Sequence, residues 1–140
     1  MIENRTAPFG ALTLRLALGT MFVAHAGLKI FVFTTAGTVG YFESIGLPGI
    51  LAYGTIGAEL IGGLMLLAGL YTRQVALLLI PLLLGTILFV HGANGWLFSN
   101  EGGGWEYSAF LIAASISQVL LGDGAYSAKS LFKRREAAFA

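Results

Sequence analysis

The chain has 140 residues, 56% of them hydrophobic and 11% charged, with a mean hydropathy of +0.81. A water-soluble domain of this size would lack the polar surface to cover itself, so the composition excludes one and places the chain in a lipid bilayer. The absence of cysteine excludes disulfides, iron–sulfur clusters, thiolate zinc sites and thiol catalysis; the net charge of +1 is uninformative, and no nucleic-acid partner is expected.

Four apolar stretches, about 11–33, 50–70, 74–91 and 107–121, read as transmembrane helices. At a rise of about 1.5 Å per residue each covers most or all of a hydrocarbon core roughly 30 Å thick, the last being the shortest. The expected fold is therefore all-α, a four-transmembrane-helix bundle forming one domain over residues 1–140. Arg5, Arg15, Arg73, Lys129, Lys133, Arg134 and Arg135 fall on one side of such a bundle and Lys29 on the other. The positive-inside rule then makes both termini cytoplasmic.

The first stretch contains TMFVAHAGLKIF at 20–31, which sets His25 and Lys29 one helical turn apart in an apolar run. Ionisable groups inside a membrane usually face the bundle, pair with one another, and mark a functional site. Helical rise places His25 about 12 Å and Lys29 about 6 Å below the outer end at Phe33. A second reading takes Arg5, Arg15 and Ala24-His25-Ala26 as a secretory signal with a small-residue cleavage site. Against it, the apolar run continues through Leu28, Ile30, Phe31 and Phe33, which a cleaved signal would not need. Asn4-Arg5-Thr6 has the form of a glycosylation acceptor but lies on the cytoplasmic side and is read as chance.

Between the first two stretches, Val39, Phe42 and Ile45 recur at three-residue spacing, which predicts a short interfacial helix stopped by Pro48. In the second stretch Gly54, Ala58 and Gly62 stand four residues apart with Gly57 and Gly63 beside them, a face that permits close helix packing or oligomerisation. Glu59, about 14 Å below the outer end at Ile50, is at a depth where His25 or Lys29 satisfies it. That arrangement is either a structural ion pair locking two spans or a site that binds or relays something. Pro81 predicts a bend in the third stretch.

His91 and Glu106 sit at the outer ends of the third and fourth stretches. The candidate proton-exchange or ligand-binding cluster is thus His25, Lys29, Glu59, His91 and Glu106, all in the outer half. No metal site is expected. The histidines lack a ligand spacing, and His25 lies about 10 Å deeper than His91, which argues against a shared haem. The tail SAKSLFKRREAAFA, with four basic residues beside Leu131 and Phe132, reads as an attachment to anionic cytoplasmic lipid.

The loop VHGANGWLFSNEGGGWEYSAF at 90–110, together with RLALGTMFVAHAGLKIF, GAELIGGLMLLAGLYTR and the closing LLGDGAY, resembles the DoxX family of small bacterial membrane proteins. The resemblance covers roughly Leu14 to Tyr126. It implies four transmembrane helices in the bacterial cytoplasmic (inner) membrane and a link to membrane redox chemistry. Members of the family include a subunit of a thiosulfate:quinone oxidoreductase and partners in a membrane-associated oxidoreductase complex for thiol and oxidative stress. It brings no catalytic residue set with it.

Within that loop, Trp96, Phe98, Trp105 and Tyr107 suit an aromatic belt at the outer interface. Asn94, Gly95 and Gly102 to Gly104 suit sharp turns that fold the loop back over the bundle. Asn94, Trp96, Trp105 and Tyr107 are accordingly the candidate cofactor-binding residues, and a quinone headgroup is the amphipathic ligand that fits. The expected function is a quinone-linked membrane redox subunit supplied with electrons by a partner protein. The rival is a non-enzymatic membrane scaffold or small-solute carrier in which Glu59 and Lys29 lock the bundle.

Overall fold

The computed structural model describes residues 5–128 and 130, so Asn4 and the basic tail residues Lys129, Lys133, Arg134 and Arg135, with Leu131 and Phe132, lie outside the described residues. The described part is all-helical. Its elements are α1 (Ala7–Gly27), α2 (Thr35–Ser44), α3 (Ile50–Ala68), α4 (Thr72–Thr86) and α5 (Glu106–Leu121). Two π-helical turns, Leu28–Val32 and Ile87–His91, extend α1 and α4, and a short 3₁₀ turn, Gly92–Asn94, follows the second.

Among the described residues, three helices are long and apolar enough to cross a membrane: Ala7–Val32, Ile50–Ala68 and Thr72–Asn94. Helix α5 has 16 residues, about 24 Å at helical rise, and falls short of a full hydrocarbon core. The first helix starts four residues earlier than its apolar run, because Pro8 in the opening turn has its φ preset for a helix and lacks only an amide that would be unpaired there.

Helix α1 packs on α3, α3 on α4, α4 on α5 and α5 back on α1, so the four long helices close a ring and α2 rests against α3. The core contains Leu18, Phe22, Leu66, Leu79, Leu83 and Leu111. The outside is richer in large apolar side chains than the inside. Phe31, Leu78, Leu88 and Leu120 are each at least 74% exposed, while Arg15, Glu59, Thr72, Ser108, Ser115 and Gln118 are buried. This inverted distribution is what lipid as solvent selects, since an apolar exterior costs nothing there and polar groups must find partners within the bundle.

The closest helix approach is not on the Gly54–Ala58–Gly62 face. A Cβ at Gly19 would lie 2.9 Å from the Gly63 carbonyl oxygen, and one at Gly63 would lie 2.9 Å from that of Gly19. The crossing of α1 over α3 is therefore built from a glycine on each helix, with Gly62 accommodating Leu79 on the α4 side. Gly54 and Ala58 are exposed.

Two helices end in the same glycine cap. Leu47 N–H donates to Phe42 O at 2.9 Å around Gly46 (φ +81°), and Leu70 N–H donates to Met65 O at 2.9 Å around Gly69 (φ +68°). These six-to-one bonds close helices with a left-handed residue that only glycine adopts freely. Helix α2 therefore forms where Val39 and Phe42 predict it, but Gly46 stops it at Ser44, before Pro48 is reached. Helix α4 runs on through Pro81 and departs from α geometry only at Ile87.

Candidate functional site

Lys29 sits on the first π-helical turn and Glu59 on the buried face of α3. Lys29 Nζ donates to both carboxylate oxygens of Glu59, at 2.9 and 2.8 Å, with the side chains 19% and 5% exposed. Two charges withdrawn from water recover their desolvation only in geometry this close, and removing either one strands the other.

The turn that presents Lys29 is itself secured. Its carbonyl oxygen accepts from Thr38 Oγ1 at 3.1 Å, and the same hydroxyl reaches Thr34 O at 2.9 Å, which ties α2 back onto the π-helical turn. Thr34 adopts φ 63°, ψ 154°, a region that costs a β-branched residue about 1–3 kcal/mol. Its hydroxyl caps α2 by accepting from Gly37 N–H at 3.1 Å.

His25 is one turn before Lys29 and is close enough to Glu59 to interact with it electrostatically. Its Nδ1 lies 2.9 Å from Met21 O, and because a carbonyl only accepts, Nδ1 carries the hydrogen. In the neutral ring Nε2 is then the free acceptor. The imidazole stacks on Tyr107 with centroids 6.1 Å apart and planes at 24°.

That stack forms part of a groove of about 850 Å³ lined by His25, Trp96, Phe98, Glu106, Tyr107, Ala109, Phe110 and Ala113. Phe98 meets Tyr107 edge-on at 6.1 Å, and Trp96 meets Trp105 edge-on at 4.5 Å. Aromatic walls with a few polar atoms, on His25, Trp96 and Glu106, suit a flat ligand carrying a hydrogen-bonding edge and an apolar tail.

The groove rim is the 92–106 loop, which closes on its own backbone. Asn94 Nδ2 donates to Gly102 O and Gly103 O, both at 3.0 Å, and Asn100 Nδ2 donates to Asn94 O at 2.8 Å. Gly104 N–H donates to Leu97 O, Trp105 N–H to Gly95 O and Glu106 N–H to Trp96 O. Gly104 is buried so tightly that a Cβ would strike Leu97 O.

Among the five clustered candidates, the structure brings Lys29 and Glu59 into direct contact and places His25 beside them. His91 and Glu106 spend their bonds elsewhere: His91 Nδ1 donates to Gly103 O at 3.0 Å, and Glu106 Oε1 accepts from Phe98 N–H at 2.7 Å. Both fasten the loop, although Glu106 also lines the groove. Of the candidate cofactor residues, Trp96 and Tyr107 line the groove, whereas Asn94 clasps the loop and Trp105 backs Trp96.

Ala109, Phe110 and Ala113 also line the groove beyond the candidates the sequence offered; their signal is two small residues at i, i+4 beside the aromatics at 107 and 110. Arg15, which the sequence presents as a marker of topology or as part of a signal-like N-terminus, has a structural role in the fold. It is in fact 1% exposed, with Nη1 donating to Asp123 O at 2.9 Å and Nη2 lying 3.5 Å from both Ala125 O and Tyr126 O.

The family model described as DoxX matches residues 10–92. A protein of Bacillus subtilis (strain 168) named "Putative oxidoreductase CatD" is 36% identical over 120 residues, which cover 86% of this chain and 84% of that protein. The "Inner membrane protein YqjF" of Escherichia coli (strain K12) is 31% identical over 134 residues, covering 90% of this chain and 94% of that protein. No solved structure matches the chain.

Proposed function

The chain belongs to the DoxX family of membrane proteins, and on that premise we propose that it is a four-span subunit of a quinone-linked redox system in the bacterial cytoplasmic membrane. In this reading α5 is the fourth span, both termini are cytoplasmic, and the aromatic groove opens toward the outer face. Charge supports that orientation: the 92–106 loop at the groove end has no Lys or Arg, while Arg5 and Arg73 lie at the opposite end. The B. subtilis relative's name supports the redox link.

The observation that carries the proposal is the His25–Tyr107 stack at the wall of an aromatic groove, with His25 Nε2 left as an acceptor. A volume of about 850 Å³ is within the usual range for small-molecule sites, and a quinone ring with an apolar tail matches the lining. A bound quinone would supply the two-electron, two-proton redox capacity that side chains here lack. His25 Nε2 would accept the hydrogen bond of a hydroxyl of the reduced, quinol form and take its proton as the ring is oxidised. Phe98, Tyr107 and Phe110 orient the ring by stacking, and Trp96 screens it from water. A partner protein delivers the electrons. Lys29 with Glu59 locks α1 to α3 so that the wall bearing His25 stays in register.

A non-enzymatic scaffold is favoured by one feature, the complete closure of the Lys29–Glu59 pair on itself. Mass and ultraviolet-visible spectra of protein purified in mild detergent separate the two. Co-purified quinone, or saturable binding of added quinone, is expected; protein that carries none and binds none overturns the redox reading and leaves the scaffold.

A further inference from the structure

At the end of the bundle opposite the groove, four buried polar atoms of the described residues have no hydrogen-bond partner: Arg15 Nε, Thr72 Oγ1, Ser115 Oγ and Gln118 Oε1. They come from α1, α4 and α5, and neighbouring bonds draw them together. Arg15 Nη1 donates to Asp123 O while Gln118 Nε2 donates to Gly122 O at 2.7 Å, so the two side chains hold adjacent carbonyls. Ser115 lies one turn before Gln118 on the same buried face of α5. The hydrogen bond from Thr86 Oγ1 to Ser108 Oγ sets the register between α4 and α5. Thr72 is 14 residues from Thr86, and Gly122 is 14 residues from Ser108, which puts Thr72 level with Gly122. Arg15 Nη1 also presses on Gly69, three residues before Thr72, where a Cβ would collide with it.

Buried polar groups are nearly always paired, and in lipid no bulk solvent relieves those that are not. This set is chemically complementary: Arg15 Nε only donates, Gln118 Oε1 only accepts, and the two hydroxyls do both. Water, with two donors and two acceptors, satisfies such a set where the side chains themselves do not reach one another.

A second groove adjoins the residues that these side chains bind. It has a volume of about 770 Å³ and is lined by Gly69, Tyr71, Arg73, Gln74, Gly122 and Asp123, among others. Three of these, Gly69, Gly122 and Asp123, are the residues that Arg15 and Gln118 touch or bind. The space a side chain would fill is taken at Gly69 by the Arg15 guanidinium and at Gly122 by that of Arg73, so two cationic heads stand between the groove and the polar atoms.

We infer that this end of the bundle is a built hydration site, in which water entering by the Gly69–Gly122 groove binds Arg15, Thr72, Ser115 and Gln118 and joins α1, α4 and α5 to the 122–127 turn. The site is independent of quinone binding. Because the chain has no cysteine, single thiols report on it cleanly. Ser115→Cys is compared with Leu111→Cys, one turn away in the apolar core, for reaction with neutral methyl methanethiosulfonate in detergent-purified full-length protein. A wet site predicts reaction about tenfold faster at position 115, since only a solvated thiol ionises to the attacking thiolate. The double variant Thr72→Val/Ser115→Ala is expected to lower Tm by a few degrees, because it removes partners of bound water. Equally slow thiol reaction at the two positions, or a Tm unchanged or raised in the double variant, would mean dry hydroxyls and would overturn the inference.

Discussion

The ammonium of Lys29 bridges both carboxylate oxygens of Glu59, joining the π-helical end of the first span to the buried face of α3. The two partners are unequally placed. Lys29 is 19% exposed on a long flexible stem, and Glu59 is 5% exposed on a short one.

That asymmetry orders the variants. Glu59→Gln leaves an ammonium that still reaches the interface, whereas Lys29→Met leaves a carboxylate with no exit. Both are expected to lower Tm, with Lys29→Met the more damaging at about 3–5 kcal/mol. The double variant Lys29→Met/Glu59→Gln regains most of the loss. Melting curves in one detergent check the order, and a double variant no better than Lys29→Met would contradict a closed pair.

Glycine at the α1–α3 crossing is required by contact, while glycine on the outward face is not. Gly63→Ala meets Gly19 O and is expected to destabilise the protein by about 1–3 kcal/mol, as overpacking does. Gly54→Ala meets nothing within 4 Å and is expected to be neutral or stabilising by up to about 1 kcal/mol through helix propensity. Thermal melts of the two single variants decide it.

Arg15 holds the C-terminal turn through carbonyls of residues far along the chain, and its forked head suits several acceptors at once. Arg15→Lys keeps the charge but not the fork. Limited proteolysis is expected to release the segment after Leu121 several times faster in this variant, with the transmembrane fragment still folded. An unchanged cleavage rate would show that charge alone suffices.

Tyr107 contributes a ring to the groove rather than its hydroxyl, for which the structure shows no hydrogen bond. Tyr107→Phe should therefore keep quinone affinity within about twofold, and Tyr107→Ala should weaken it roughly two- to tenfold, the range of one aromatic contact. Titration of an added short-chain quinone, followed by tryptophan fluorescence, measures both.

What the sequence disclosed divides along physical lines. Apolar length made the three long helices legible, because bilayer thickness leaves little choice. Depth made the Lys29–Glu59 pairing legible, since a carboxylate buried in lipid must find a cation and helical rise put the two at comparable depths. Depth does not give the angle around a helix, however. His91 and Glu106 lie at the right height yet bind the backbone of their own loop.

The glycine pattern located the close approach only in part: Gly62 and Gly63 do pack against Leu79 and Gly19, but spacing on one helix does not show which position faces a glycine on its neighbour. The burial of Arg15 was not legible because a basic residue near the inner end of a span already has a sufficient explanation in topology, while its partners lie 108 to 111 residues away. The two π-helical turns, which carry Lys29 and His91, lie within apolar runs whose residue types are those of ordinary α-helix.

Crosslinking a photoreactive quinone to the protein in native membrane vesicles, with adducts mapped by mass spectrometry, tests the functional proposal most directly. Adducts on Tyr107 to Ala113 and on Trp96 to Phe98, competed away by excess quinone and reduced by His25→Ala, are predicted. Adducts confined to other helices, or none that compete, would contradict a quinone site at the His25–Tyr107 groove.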